Sequence, residues 1–390
     1  MLIFKLLFFI SGFMIFWGMI GYPMTLLLLG KTKLSKRPFY QKKEDYLPTV
    51  TVLIVAHNEE TVILDKLKNV CTLDYPKEQL EIVVASDHST DKTNVIVERF
   101  IQEHGGKRRI RIVKSQQRGG KTNAQNEAVQ TIQSEIIVFT DANAMIDTHA
   151  LKKIVDPFQE PSISYTTGQL VYINKERSAT SASEDSYWSL DTKIREIEGR
   201  IQTITAGNGA LYACRKSEYI EFPPIESHDS SMPRAFALKK QRAIAVSDAF
   251  VYEKAGETSE DEFQRKVRMN RVIIQSIMAT KETSNLFKYG WYSFFYFGHR
   301  TSRYLLWFNH LLFLITSLIL FKTSLFFEVM TYVQLIFYIL AIIPIVLPIR
   351  QHKLCLPYYY MLTIWAQAVG IYRVLRKQSK PVWESAKTTR

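Results

Sequence analysis

Residues 48–60 read PTVTVLIVAHNEE, and this stretch decides the fold. From Val50 to Ala56 the run is apolar and largely β-branched, the pattern of a strand covered on both faces. It stops at His57-Asn58-Glu59-Glu60, where acidic residues suit the first turn of a following helix. The same pattern recurs further along the chain. Glu81 to Ala85 predicts a second strand ending at Ser86-Asp87, and Arg109 to Val113 a third. Gly119-Gly120 then opens a helix through Asn126 and Ala128. Ile136 to Thr140 predicts a fourth strand ending at Asp141. Strands separated by helices imply an α/β domain with a mostly parallel sheet joined by crossovers.

In open sheets of this kind, ligands bind beyond the carboxyl ends of the strands. Asn58/Glu59, Asp87 and Asp141 all fall there, so one crevice can gather them. Any one of them serves equally well as a helix cap or turn residue. Together, with the basic turn Gly119-Gly120-Lys121 among them, they point to a ligand. That turn allows close backbone approach and brings a cation, as a nucleotide diphosphate requires, although it lacks Walker A spacing. In extended backbone, Asp141 and Asn143 face the same way. Their oxygens suit Mg²⁺ or Mn²⁺, and the neutral amide predicts weak metal affinity without diphosphate.

Beyond this central region the composition changes. The chain has 390 residues, 22% of them charged, and a mean hydropathy of -0.07. That average conceals two apolar, aromatic ends around an ordinary globular middle, from about Pro48 to about Arg271. Leu2 to Gly30 is apolar apart from Lys5, longer than a signal peptide's apolar core, and reads as an uncleaved membrane anchor. Tyr304 to Phe321 and Ser324 to Pro348 read as two further spans. Leu354 to Tyr372 is long enough for another but carries Pro357, Gln367 and Gly370, so a span and a re-entrant segment both remain open. Tyr289 to Tyr296, ahead of His299, Arg300 and Arg303, suits a helix in the headgroup layer.

The net charge of +13 has a local explanation. Lys31, Lys33, Lys36, Arg37, Lys42 and Lys43 follow the first span, and Arg373, Arg376, Lys377 and Lys380 follow the last. This is the positive-inside pattern and an attraction to anionic lipid. It places the middle domain in the cytoplasm of a multi-pass protein of the plasma (inner) membrane. No groove-reading or base-stacking motif accompanies the charge, so nucleic acid is not expected as a partner. Cys71, Cys214 and Cys355 are scattered, which argues against a disulfide framework or a zinc site. The spans carry almost no charge, against a transporter or channel.

In order, PTVTVLIVAHNEE, EIVVASDHSTDKT, RGGKTNAQN, IIVFTDANAMID, GNGALYA, ESHDSSMPRAF and GETSEDEFQRKVRMNR resemble glycosyltransferase family 2, which has the GT-A fold. The resemblance covers roughly residues 48 to 275. The anchor and C-terminal membrane cluster are similar to those of bacterial members that build exopolysaccharide, capsule or chito-oligosaccharide. The implied organisation is an anchor (1–30), a basic linker (31–47), and a transferase domain (48–275) with donor (48–147) and acceptor/catalytic (148–275) halves. An interfacial segment (285–303), membrane helices (304–372) and a basic tail (373–390) complete it.

The resemblance also implies roles. Glu59 and Asp87 match the residues that hold ribose and uracil, and Lys121 a basic residue near the diphosphate. Asp141 and Asn143 stand at the DxD positions, with Asn143 departing from the usual Asp. Asp229 matches the catalytic base, and His228 replaces the usual acid before it. Arg268 is retained from QxxRW, whereas Arg265 and Met269 replace its Gln and Trp; the missing Trp makes long-chain synthesis doubtful. Gly207-Asn208-Gly209 suits a flexible turn where an acceptor approaches, and Tyr187 and Trp188 either stack on sugar or pack on an apolar helix face. The expected activity is inverting, metal-dependent transfer from a nucleotide-sugar, UDP-linked as the resemblance implies, to a lipid-linked or growing glycan. Alternatives are transfer to polyprenyl phosphate, or a non-catalytic nucleotide-sugar-binding subunit of a synthase complex.

Overall fold

The four expected strands are present as β1 (Val50–Ala56), β2 (Leu80–Ser86), β3 (Arg109–Lys114) and β4 (Ile136–Asp141). The computed structural model describes residues 1–36, 38–40, 46–104, 106, 108–174, 179–256, 258–272, 278, 280–346 and 352–382; the side chains of 179–187, 346 and 352–354 are excepted. Four more strands, β5 (Met145–Ile146), β6 (Ile163–Tyr172), β7 (Leu211–Arg215) and β8 (Arg242–Glu253), complete one sheet in the order β3-β2-β1-β4-β7-β6-β8-β5. The β3-β2-β1-β4 half is parallel; β7 enters antiparallel to both β4 and β6. Val50, Val52 and Ile54 belong to one buried cluster and Leu53 and Val55 to another. This two-sided burial is why β1 reads as an unbroken apolar run.

One local expectation shifts. The helix after β1 starts at Ile63, not at the acidic pair. Asn58 takes a left-handed φ of 54°, and its side-chain oxygen accepts from Thr90 N–H at 2.8 Å. The chain therefore turns before it coils, tying the β1 end to the β2 loop. The segment that carries Arg265, Arg268 and Met269 is helical at Ser259–Met269, capped by the Thr258 hydroxyl, with Asn270–Val272 as a tighter turn.

Among the described residues, three helices are long and apolar enough to cross a bilayer: Leu2–Leu29, Leu306–Thr323 and Leu325–Ile345. The stretch left open between span and re-entrant segment belongs to a further helix, His352–Leu375. That helix rests on the central domain. A Cβ at Gly370 would come within 2.5 Å of the Asn270 side chain, and Gln367 donates to the Arg303 carbonyl at 3.0 Å. Arg37, Lys42, Lys43, Arg350 and Trp383–Arg390 lie outside the described residues.

The anchor joins the domain through buried charge. Tyr22, on the first apolar helix, donates its hydroxyl to Glu198 at 2.5 Å. His299 bridges Glu198 and Asp191, each at 2.8 Å. Arg303 and Arg195 reach Asp191 at 3.0 and 2.6 Å. Burial alone would raise the Asp191 carboxyl, but Arg195, His299 and Arg303 hold it well below the usual range. Gly298 makes the approach possible, because a Cβ there would fall 2.0 Å from the Tyr22 ring. Both helices carry a π turn at this crossing, Trp17–Gly21 and Tyr296–Thr301.

Candidate active site

At the end of β2, the buried Asp87 carboxylate accepts from two backbone donors, Gly119 N–H at 2.8 Å and Gly120 N–H at 2.9 Å. This fixes the glycine turn. Gly120 has a φ of 89°, a conformation that favours glycine. The turn launches the helix Lys121–Gln130 and aims Lys121 at the end of β4. There its ammonium pairs with the Asp141 carboxylate and lies 3.2 Å from the Gly209 carbonyl. A sequence feature and a strand end thus become one electrostatic unit.

The other wall comes from the later half of the chain. The helix His228–Leu238, led in by Ser227, carries Asp229 in its first turn. Gly207 N–H donates to the Asp229 carbonyl at 2.8 Å. A Cβ on Gly209 would sit 3.2 Å from Lys121 Nζ and 3.7 Å from the Asp229 carboxyl. Lys121, Asp141 and Asp229 therefore close around one glycine, at the head of a cleft of about 260 Å³.

The structure sorts the other expected site residues. Gly207, Asn208, Gly209, Trp188 and Arg268 line the cleft with Lys121, Asp141 and Asp229. Asp87 reaches it through the turn it fixes. Glu59 is buried nearby, where its N–H donates to Thr93 at 2.8 Å. The Asn143 amide turns to the Glu253 carboxylate at 2.8 Å. The Tyr187 side chain lies outside the described residues.

The turn at 207–209 is firmly held, not flexible. Asn208 donates to the Gly168 carbonyl at 2.5 Å and accepts from Ala210 N–H at 3.1 Å and Leu211 N–H at 3.2 Å. A Cβ on Gly207 would collide with the Tyr165 hydroxyl at 2.0 Å.

His228, which stands where an acid is usual, faces the interior. Its ring contacts Gln125 at 2.9 Å and Tyr219 at 2.8 Å. Burial, aided by the Lys121 charge, pushes it down to about 3. It is a neutral packing residue.

Arg268 is held in a crowd of like charge. Burial first, then Arg265 and Arg271, lowers its guanidinium to about 10. Arg265 is committed to Glu262 through two contacts of 2.8 Å. Arg271 donates to the Ile225 carbonyl at 2.8 Å. Sequence reasoning missed Glu253, Arg195, Arg300 and Tyr304, which also line the cleft. Glu253 had one available signal: it ends a strand, as Asp141 does.

Comparison with known proteins places the chain in a family. The model for "Glycosyl transferase family 2" matches residues 51–219, and that for "Glycosyl transferase family group 2" matches 136–348. The chain belongs to glycosyltransferase family 2. Its central domain has the GT-A fold, and three of its described helices are long and apolar enough to cross a membrane. A mannosyltransferase from Pyrobaculum calidifontis, solved with GDP-Man and Mn²⁺, superposes with a TM-score of 0.69. The alignment covers 95% of this chain and 99% of that one at 19% identity, a likeness of fold. The beta-monoglucosyldiacylglycerol synthase of Nostoc sp. is 33% identical over 39% of this chain and 31% of its own length. The poly-beta-1,6-N-acetyl-D-glucosamine synthase of Staphylococcus epidermidis is 28% identical over 43% and 40%. The chain thus spans well under half the length of these two curated relatives.

Proposed function

We propose that this glycosyltransferase moves a sugar from a UDP-linked donor to a lipid-linked or growing glycan, inverting the configuration at C1. The observation that carries the reading is the closure of Lys121, Asp141 and Asp229 around Gly209. Asp229 accepts the acceptor hydroxyl's proton as oxygen bonds to C1 and the C1–diphosphate bond breaks. One displacement leaves the sugar inverted. Lys121 and Arg268 take up the charge of the departing nucleoside diphosphate. Asp87 serves the nucleoside through the glycine turn between β3 and the helix Lys121–Gln130, and Glu59 serves it from the loop after β1.

A divalent cation fits this site. The Lys121 ammonium already stands against Asp141, and the donor set at the strand ends is oxygen, as Mg²⁺ or Mn²⁺ prefers. Asp141 and the loop of Asn143 would hold the ion. When bound, it neutralises the leaving diphosphate. The Mn²⁺ of the Pyrobaculum enzyme supports the assignment. The basic residues after the first apolar helix support a cytoplasmic catalytic domain, residues 48–275, on a multi-pass protein of the plasma membrane. The acceptor arrives past Gly207-Asn208-Gly209 and Trp188.

Direct transfer to polyprenyl phosphate is a second reading, favoured by Arg195 and Arg300 on the cleft wall formed by the helix Ala179–Ile201 and the segment before the second span. Membranes incubated with radiolabelled nucleotide-sugars and Mn²⁺ decide between the two. The leading reading expects labelled glycan or glycolipid; the second expects one lipid-soluble sugar phosphate. Undiminished transfer by Asp229→Asn would remove the assigned base.

A further inference from the structure

Asn143 donates its amide to the Glu253 carboxylate at 2.8 Å. We propose that Glu253 supplies the negative charge that Asn143 lacks, so that Asp141 and Glu253 hold the divalent ion with the donor diphosphate while Asn143 orients Glu253. The inference rests on the donor-site reading above.

Three observations support it. First, β5 pairs antiparallel with β8, Met145 opposite Tyr252 and Ile146 opposite Val251. That register carries Glu253 to the loop just after Asp141, and both carboxylates line the same cleft. Second, Asn143 presents its amide N–H₂, not its oxygen, to Glu253 Oε1 at 2.8 Å. An amide nitrogen is a donor with no lone pair for a cation, so this contact orients a carboxylate and does not bind a metal. An aspartate at 143 in this pose would set two like charges together. Asn143 and Glu253 therefore form a matched pair, with one charge relocated from the loop to β8.

Third, Asp141 and Glu253 act on a common neighbour. Lys66 is buried beneath the cleft, donating to the Thr140 hydroxyl at 2.8 Å and to the Ala144 carbonyl. Burial lowers its amine to about 7, against the upward pull of Asp141 and then Glu253, and both of those residues line the one cleft above it. Two carboxylates and diphosphate oxygens make a hard-oxygen set of the kind these ions take.

The test is Mn²⁺ binding to the full chain in lipid nanodiscs with UDP present, followed by electron paramagnetic resonance, with UDP binding measured separately. Glu253→Gln keeps the shape and an acceptor oxygen for Asn143, and is expected to weaken Mn²⁺ binding by at least about tenfold. Asn143→Asp combined with Glu253→Gln returns the charge to the loop and is expected to recover most of that loss. Asn143→Ala, which only releases Glu253, should show a smaller loss. Unchanged Mn²⁺ affinity in Glu253→Gln, with UDP binding intact, overturns the assignment and leaves the transferase reading standing. A wild-type protein that binds no uridine nucleotide at all would sink the UDP-donor reading and this inference together.

Discussion

Arg195 stands between two groups of charged side chains that use charge in opposite ways. Within the cleft, the described lining residues include seven basic ones (Lys121, Arg195, Lys254, Arg265, Arg268, Arg271, Arg300) and three acidic ones (Asp141, Asp229, Glu253). The imbalance asks for an anionic ligand. Behind Arg195, the group of Asp191, Glu198, His299, Arg303 and Tyr22 is almost fully buried, and its hydrogen bonds run inward to one another. The first group is prepared for something that arrives; the second holds the membrane anchor against the domain. Charge in a fold becomes a binding site where it is left unbalanced and reachable, and a strut where it is matched and dry.

Four measurements sharpen or break that contrast. Asp229→Asn should reduce transfer by about 10²–10⁴-fold with little change in melting temperature; a large loss of stability would move Asp229 into the structural group. Asp191→Ala should do the reverse, costing about 3–5 kcal/mol. Thermal unfolding in detergent reads that loss, while nucleotide affinity in the surviving folded fraction should stay near wild type. Arg268→Ala should raise the donor KM by an amount equivalent to about 1.5–3 kcal/mol, the worth of a charged hydrogen bond, with a smaller effect on kcat.

The smallest effect belongs to His228. Its ring is lowered to about 3 by burial and the Lys121 charge. The unfolded chain therefore binds the extra proton between about 6.5 and about 3, and stability drains away as pH falls through that window. His228→Gln should remove this share of acid sensitivity. It should leave the pH profile of kcat/KM between about 5 and 8 unchanged; a shifted profile would return His228 to the reacting group.

How much of this could be read from sequence follows from burial. β1, β2 and β4 lie inside the sheet and are covered on both faces, so each is a mainly apolar run. Asp87 and Asp141 were legible because they follow those runs directly. Strand β8 was not: its burial alternates irregularly, and its pairing with β6 is broken by register shifts. Glu253, at its end, was hidden with it. Asn208 looked like a mobile turn residue because its partners, Gly168 and Thr167, are about forty positions away. Tyr22 and Glu198 are separated by 176 positions, and no local pattern announces such a contact. His228 carried an ambiguous cue: it stands beside Asp229 where an acid is usual, and only the structure shows its ring stacked near Phe139 and Tyr219.

The crossing of Tyr22 over Gly298 has a practical side. Because the ring fills the space a side chain at 298 would need, the first apolar helix is keyed to this one domain and is not a generic tether. Trimming it away to make a water-soluble version, or grafting another protein's leader in its place, would strip Glu198 of its phenol partner and open a dry ionic knot to solvent. Expression designs that keep residues 1–30 should yield well-behaved protein, and those that swap them should aggregate.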